Sequence, residues 1–346
     1  MKTNNKLFLV IILVLIVSLT LTACSPKPST EGQDKVTIGY LPVAGNALYF
    51  IANDLGYFAE EGIDAKLKSF KNDEKGLEAL MTDKIDIGCF ATSDELALID
   101  GGAELTIHGG GIGQGSGIIT LADRVDEFKN FKNYKGKTIG LVKESSEDVL
   151  FRLSMTEAGL DINKDVTIVE LDSPDLLIKA LKKGEIDAAS VCIVNIKSSK
   201  LEGLKPTMYF NEVRPLLASI SQISKTNALE KNQELYKRLN RALIKAHKIY
   251  LKDHEKTVDI MQKYIKGDRD ILMSEVYDEN ILINPNPNKN YIYNFLKDMD
   301  QIGYIESDRD FDTYINEDIY IGALESLLEE DPNEGVYLQL KSELVT

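Results

Sequence analysis

Cysteine and histidine are both scarce in this chain, with three of each among 346 residues. Cys24 closes an apolar run, which leaves Cys89 and Cys192 for the body of the protein. One pair in a chain this long is not a disulfide framework. His108, His247 and His254 are scattered, no H-E-x-x-H occurs, and no cysteine pair stands at metal-ligand spacing. Neither a metal nor a cofactor is therefore expected. Positive charge is also in short supply: 40 basic residues face 55 acidic ones, a formal net charge of −15. That sign repels nucleic acid and anionic headgroups, so neither is expected as a partner of the protein surface. Phosphate-binding loops are missing too. "KGKT" (135–138) has Phe131 where the first glycine of such a loop belongs, and it precedes a strand pattern instead of following one. "HGGGIGQGSG" (108–117) holds no G-x-G-x-x-G window and reads as a crossover whose glycines permit unusual backbone angles and close approach to a ligand.

The N-terminus has an organisation of its own. Lys2 and Lys6 precede an apolar run from Leu7 to Leu21, and no acidic residue appears before Glu31. A positive start, a short apolar core and a small-residue exit mark a secretion signal. The run sits near the lower limit of about 18 residues for a membrane span, so length alone leaves a transmembrane anchor open. The exit decides: Leu21-Thr22-Ala23-Cys24 resembles a bacterial lipobox, in which the cysteine is acylated and becomes the new N-terminus. Residues 1–23 are expected to be removed, and 24–34 to form a flexible tether carrying two prolines. Removal takes away Lys2 and Lys6 and leaves 38 basic against 55 acidic residues, a formal charge of −17. The expected location is the outer face of the cell membrane, with contact made by the lipid on Cys24.

The rest is long enough for two lobes. Apolar β-branched runs at 36–41, 86–90, 105–109, 117–121, 137–142, 166–171 and 186–192 alternate with amphipathic segments such as 46–55, 77–81 and 146–158. That alternation predicts βαβ units and mostly parallel sheets. Thr37-Ile38-Gly39 recurs as Thr138-Ile139-Gly140, Leu48-Tyr49-Phe50 is echoed by Val149-Leu150-Phe151, and Ala79-Leu80 with Ile85-Asp86 recurs as Ala180-Leu181 with Ile186-Asp187. Each match is weak, but all share one offset of 101 residues. The reading is two similar α/β lobes: 35–121 with 222–346 as the first, 122–221 as the second. Residues 109–117 and the apolar return 216–223 form the two crossings.

Ligands of open α/β sheets sit beyond the carboxyl ends of the strands. Those ends place a solute among Gly45, Asn46, Ala47, Phe90, Ala91, Thr92, Gly111, Gln114, Ser145, Ser146, Cys192 and Asn195. Helices are predicted to begin near Asn46, Ser93 and Ser146, and their free N–H groups and dipoles favour an anion. Asp94, Glu95, Glu147 and Asp148 offset those dipoles, and Ser145-x-x-Asp148 also fits an ordinary helix cap. Tyr40, Tyr49, Phe70 and Phe90 could instead stack on a flat heterocycle, although core packing is the better account of Tyr49. A nucleophilic Cys89 or Cys192 would need a base, for which His108 is the only candidate, so both are read as pocket-lining thiols.

"NDLGYFAEEGIDAKLKSF" (53–70) with "DKIDIGCF" (83–90) resembles the first lobe of ABC-importer solute-binding proteins. "YKGKTIGLVKESS" (134–146), "AGLDINKDVTIVEL" (158–171) and "ALKKGEIDAASV" (180–191) resemble the second. The nearest group binds nitrate, sulfonates, taurine and thiamine precursors, and the likeness covers about 36–250. It implies a type II periplasmic-binding-protein fold, no catalysis, a monomer, and delivery of a small solute to an ABC permease and its ATPase. The expected solute is a small organic anion of the sulfonate, nitrate or taurine kind. A neutral heterocycle is the alternative. A pyrimidine-making enzyme branch is the runner-up, although its cysteine-rich stretch is absent here; a sensor subunit is a further alternative.

After Ser224 the texture changes. Leu235, Leu239, Ala242, Leu243, Ala246, Ile249 and Tyr250 fall on one helical face, and Pro285 and Pro287 mark a loop. A helical return over the back of the first lobe is expected. His247, within that helix, is expected to be partly exposed.

Overall fold

A computed structural model describes residues 32–200, 202–214, 218–306 and 308–344. The secretion signal, Cys24 and most of the tether lie outside the described residues. The fold begins at Asp34. Eleven strands are described: β1 (Asp34–Tyr40), β2 (Ile63–Ser69), β3 (Ile87–Ala91), β4 (Leu105–Gln114), β5 (Ser116–Leu121), β6 (Thr138–Leu141), β7 (Thr167–Glu170), β8 (Ala188–Cys192), β9 (Leu204–Tyr209), β10 (Ala218–Lys225) and β11 (Ile281–Ile283). They form two sheets, ordered β2-β1-β3-β10-β4-β11 and β7-β6-β8-β5-β9. The first three strands of each are parallel, and the next, β10 or β5, runs antiparallel to its neighbours on both sides. Parallel neighbours need helical crossovers; Ala47–Asp54 and Asp73–Met81 supply them in the first sheet, Ser146–Glu157 and Pro174–Lys183 in the second.

The 101-residue recurrence has a packing cause. Asp86 accepts a hydrogen bond from the Thr37 amide at 2.7 Å, and Asp187 accepts one from the Thr138 amide at 2.8 Å. Each aspartate thereby ties the start of one parallel strand to its neighbour. Beside them, a Cβ on Gly39 would lie 2.5 Å from Ile85 Cδ1, and one on Gly140 would lie 2.5 Å from Ile186 Cδ1. The Thr-Ile-Gly and Ile-Asp pairs are therefore two halves of one contact, used once in each sheet. Local signals set the helix ends. Asn72 caps Asp73–Met81 by accepting from the Lys75 amide, and Pro174 starts a helix that stops at Gly184 (φ +70°).

The crossings fall a few residues from their expected places. β5 pairs with β8 and β9, so the chain leaves the first sheet at Gln114 (φ +62°) and Gly115 (φ +81°), not after Leu121. It rejoins the first sheet with β10, which starts at Ala218, ahead of the expected Gln222; Leu216 and Leu217 lie outside the described residues. An apolar β-branched strand looks the same whichever sheet it joins, and only the two positive φ angles mark the turn.

Helix Gln233–Lys252 packs against Ala47–Asp54 and Asp318–Glu330. Leu239, Ala242, Leu243, Ala246 and Tyr250 are buried on that face. A fully buried leucine contributes about 1.5–3 kcal/mol, which outweighs any intrinsic helix preference here. The later helices depart from the expected return. Arg269–Val276 packs on Ile193–Lys200, and Lys289–Gln301 packs on Ser146–Glu157, both in the second half. The C-terminal region therefore packs on helices of the second half as well as on the first sheet and its helices. It also includes a strand, β11, in a stretch expected to be helix and loop.

Candidate functional site

The carboxyl ends of β1, β3, β6 and β8 meet the two crossings around a cavity of about 290 Å³. Leu41, Val43, Ala44 and Gly45 follow β1, Ala91 ends β3, Val142 and Lys143 follow β6, and Cys192 ends β8. Gln114–Ser116, Ser219 and Ile220 come from the crossings. Of the expected residues, Gly45, Ala91, Gln114, Ser145, Ser146 and Cys192 line the cavity.

The others do not line it, for physical reasons. Phe90 is fully buried in a nest of glycines, where a Cβ on Gly76 would lie 2.2 Å from its ring. Thr92 is fully buried and shares a hydrogen bond with Ser221 at 2.7 Å; Ser221 in turn donates to Glu95 at 2.7 Å. Ala47 is core. Asn46 is buried behind the wall. Gly111 faces a second cavity, and a Cβ there would meet Cys89 Sγ at 3.2 Å. Asn195 receives the Cys192 thiol proton at 2.8 Å and stands behind it. The glycines of 109–117 mainly admit other parts of the chain: a Cβ on Gly110 would lie 2.1 Å from the Asn286 carbonyl oxygen.

Among the described residues, no aromatic side chain lines the cavity. Tyr40 packs edge-on to Phe50 at 5.0 Å, Phe70 packs edge-on to Phe90 at 6.1 Å, and Tyr49 is fully buried, donating to Gln222. The described residues of this wall therefore offer no stacking platform for a flat heterocycle. Two of the three histidines, His108 and His247, are buried. His108 is fully buried between Gln222 (2.9 Å) and Ser224 (2.8 Å), and burial pushes its pKa down to about 3. His247 is buried, contrary to expectation, and its pKa is pushed down to about 4. Burial pushes the Cys192 thiol up to about 12 and raises Cys89 as well, so neither is an activated thiolate.

Carboxylates dominate the electrostatics. Asp73, Asp94 and Glu147 all line the cavity. Asp73 accepts from the Ala91 amide at 2.8 Å, and burial raises its pKa. Burial, then the charges of Asp73 and Glu144, push Asp94 up to about 7. Glu147 accepts from the Ser116 hydroxyl at 2.8 Å, and its pKa is raised by burial. Among the described residues one cation is on the wall, Lys143, and it is exposed and paired with Glu144 at 3.1 Å. The Ser93 and Ser146 hydroxyls are buried on the wall without a protein partner. Ser145 caps its helix by accepting from the Asp148 amide at 3.2 Å. The sequence pattern accounts for Asp94 and Glu147 as partners of helix dipoles and gives Asp73 no ligand role. The available signal was an acidic residue just beyond three strand ends, in "KNDE", "ATSDE" and "ESSED". Among the described residues no cluster of His, Cys, Asp and Glu could hold a metal ion.

Two sheets joined by two crossings, with a cavity at the strand ends, define the periplasmic-binding-protein fold. Solved structures agree. The chain resembles the ligand-binding component of an ABC-type import system from Staphylococcus aureus, solved with zinc bound (TM-score 0.72, 17% identity, covering 84% of this chain and 99% of that one). It also resembles the periplasmic aliphatic sulphonate-binding protein of Escherichia coli (0.71, 16%, 82% and 92%). A third likeness is to the periplasmic nitrate-binding protein of Synechocystis PCC 6803 (0.70, 15%, 85% and 89%). A provisionally named binding protein of Brucella abortus strain 2308 is 26% identical over 266 residues, 75% of this chain and 80% of the relative. The family model "NMT1/THI5 like" matches residues 45–257, and the chain belongs to that family.

Proposed function

We propose that this protein is an extracytoplasmic solute-binding subunit of an ABC importer, held to the membrane by lipid on Cys24. It captures a small solute carrying a basic or N–H-bearing nitrogen and hands it to a permease. The family and the fold support the binding role, as do the names of the similar proteins. The observation that carries the solute class is the wall chemistry among the described residues: three partly buried carboxylates, Asp73, Asp94 and Glu147, and one cation, Lys143, already paired. The wall offers carboxylate acceptors and no unpaired cation among the described residues, so the expected anion preference gives way to a nitrogen-bearing solute. The unpartnered Ser93 and Ser146 hydroxyls suit the far end of such a solute, including the anionic end of a zwitterion. Binding without chemistry fits two thiols held protonated and a histidine held neutral between fixed partners.

Mass spectrometry of the protein taken gently from its own membrane tests both parts. The expected result is an acylated Cys24 at the N-terminus and a released small molecule with a basic nitrogen. An intact Met1 or unmodified Cys24 would refute the anchor; a released sulfonate without nitrogen would refute the solute class.

A further inference from the structure

Behind one end of the cleft lies a set of polar groups with nothing to bind. Asn46 is fully buried, and neither atom of its carboxamide has a hydrogen-bond partner. It precedes helix Ala47–Asp54 but its side chain makes no capping bond, so helix capping does not account for it. Glu275 is 1% exposed, and both of its carboxylate oxygens are also without a partner. The two come from segments packed on each other, the turn Ala44–Asn46 and helix Arg269–Val276. The same helix packs on Ile193–Lys200, whose first residues line the cleft beside Cys192. Glu275 is close enough to Cys192 for its charge to act on the thiol. Lys197, the nearby cation, is engaged with Asp278. Buried acceptors are normally satisfied, and those that are not point to a missing partner.

We infer that Asn46 and Glu275 form a deeper subsite of the cleft, behind Ala44, Gly45 and Cys192, which takes an N–H-bearing nitrogen group of the solute. The inference rests on the reading of the cleft as a nitrogen-solute site. Glu275 and the Asn46 carbonyl accept from the group, and the Asn46 amide donates to a neighbouring acceptor on the solute. The C-terminal helices then supply part of the binding chemistry as well as a scaffold. Burial raises the Glu275 pKa to about 7, with the charge of Lys197 acting in the opposite direction.

The test uses the full chain, wild type and the variants Glu275→Leu and Asn46→Ala. Melting temperatures are measured alone and with ethanolamine, putrescine, 4-aminobutyrate and 4-amino-2-methylpyrimidine. Each amine is paired with its N-acetyl form, and a set of alkanesulfonates is added. The expected result is an amine that stabilises wild type, an N-acetyl form that does not, and at least a tenfold loss of amine affinity in both variants. Without solute, Glu275→Leu is expected to melt at or above wild type, because a buried carboxylate without a partner costs stability. Equal stabilisation of all three proteins by an amine would overturn the subsite and leave the cleft reading standing. A lower solute-free melting temperature for Glu275→Leu would make Glu275 a structural partner of Lys197 and would also overturn it. Stabilisation by sulfonates alone would overturn the cleft reading, and the subsite with it. If no probe acts, the solute-free melting temperatures decide: a rise retains the subsite and a fall overturns it.

Discussion

At the scale of single residues, the carboxylates of the cleft are the features with the clearest consequences. Asp94 is held at about 7, well above an ordinary aspartate, by burial and by the neighbouring Asp73 and Glu144. Its proton is bound more tightly in the folded state than in the unfolded one. The stability this contributes is fully present below about pH 4 and is lost as pH rises to about 7. Asp94→Asn removes the effect. The variant is expected to gain on wild type between pH 5 and pH 8 by on the order of 1–2 kcal/mol, after allowance for partial solvent access. Urea titrations at the two pH values measure this, and an unchanged difference would show that Asp94 is not strained by its neighbours. The strand ends read from the sequence reach part of the cavity wall but not its charge. Gly45, Ala91, Gln114, Ser145, Ser146 and Cys192 were legible because strand ends follow from the apolar runs. Asp73 was not, because an acidic residue at a helix start is equally well explained as a partner of the helix dipole. Nor does sequence show which way Phe90 or Tyr40 points, and both point into the core.

At the scale of elements, the C-terminal helices tie helices of the second half to the first half. Lys197 of Ile193–Lys200 pairs with Asp278 just beyond Arg269–Val276, and both side chains are largely buried. Tyr304 donates to Asp148 on Ser146–Glu157 at 2.5 Å. Arg214 reaches both Glu157 (3.0 Å) and Asp298 (2.5 Å). A buried ion pair is costly to break on one side and far less costly to replace whole. Lys197→Met is therefore expected to destabilise by roughly 3 kcal/mol, and Lys197→Met with Asp278→Leu to recover part of that loss. Strictly additive single-variant losses would mean that the pair does not couple the elements. Helix Gln233–Lys252 was legible from its apolar stripe, whereas this tie was not. It depends on pairs far apart in the chain, 81 residues for Lys197 and Asp278, and charged residues at such separation leave no periodic trace. The same holds for β11, three residues long, which exists only because β4 offers it an edge.

At the scale of the whole molecule, the recurrence at 101 residues was the most informative signal, because it reflects one contact built twice: Asp86 with Thr37, and Asp187 with Thr138. It carried the reading of two similar α/β lobes, while the antiparallel insertion of β10 between β3 and β4 had no local signature. The fold is shared with proteins named for sulphonate and nitrate binding, yet the acidic wall of this cleft argues for a solute of opposite character. The most direct test is a thermal-shift comparison of the lipid-free protein with small primary amines, with sulfonates on the same carbon skeletons, and with nitrate. A fitting solute at 100 times its dissociation constant stabilises by about 2.7 kcal/mol. The account predicts that shift with at least one amine and none with its matched sulfonate or with nitrate. A shift with a sulfonate or nitrate, and with no amine, would contradict it.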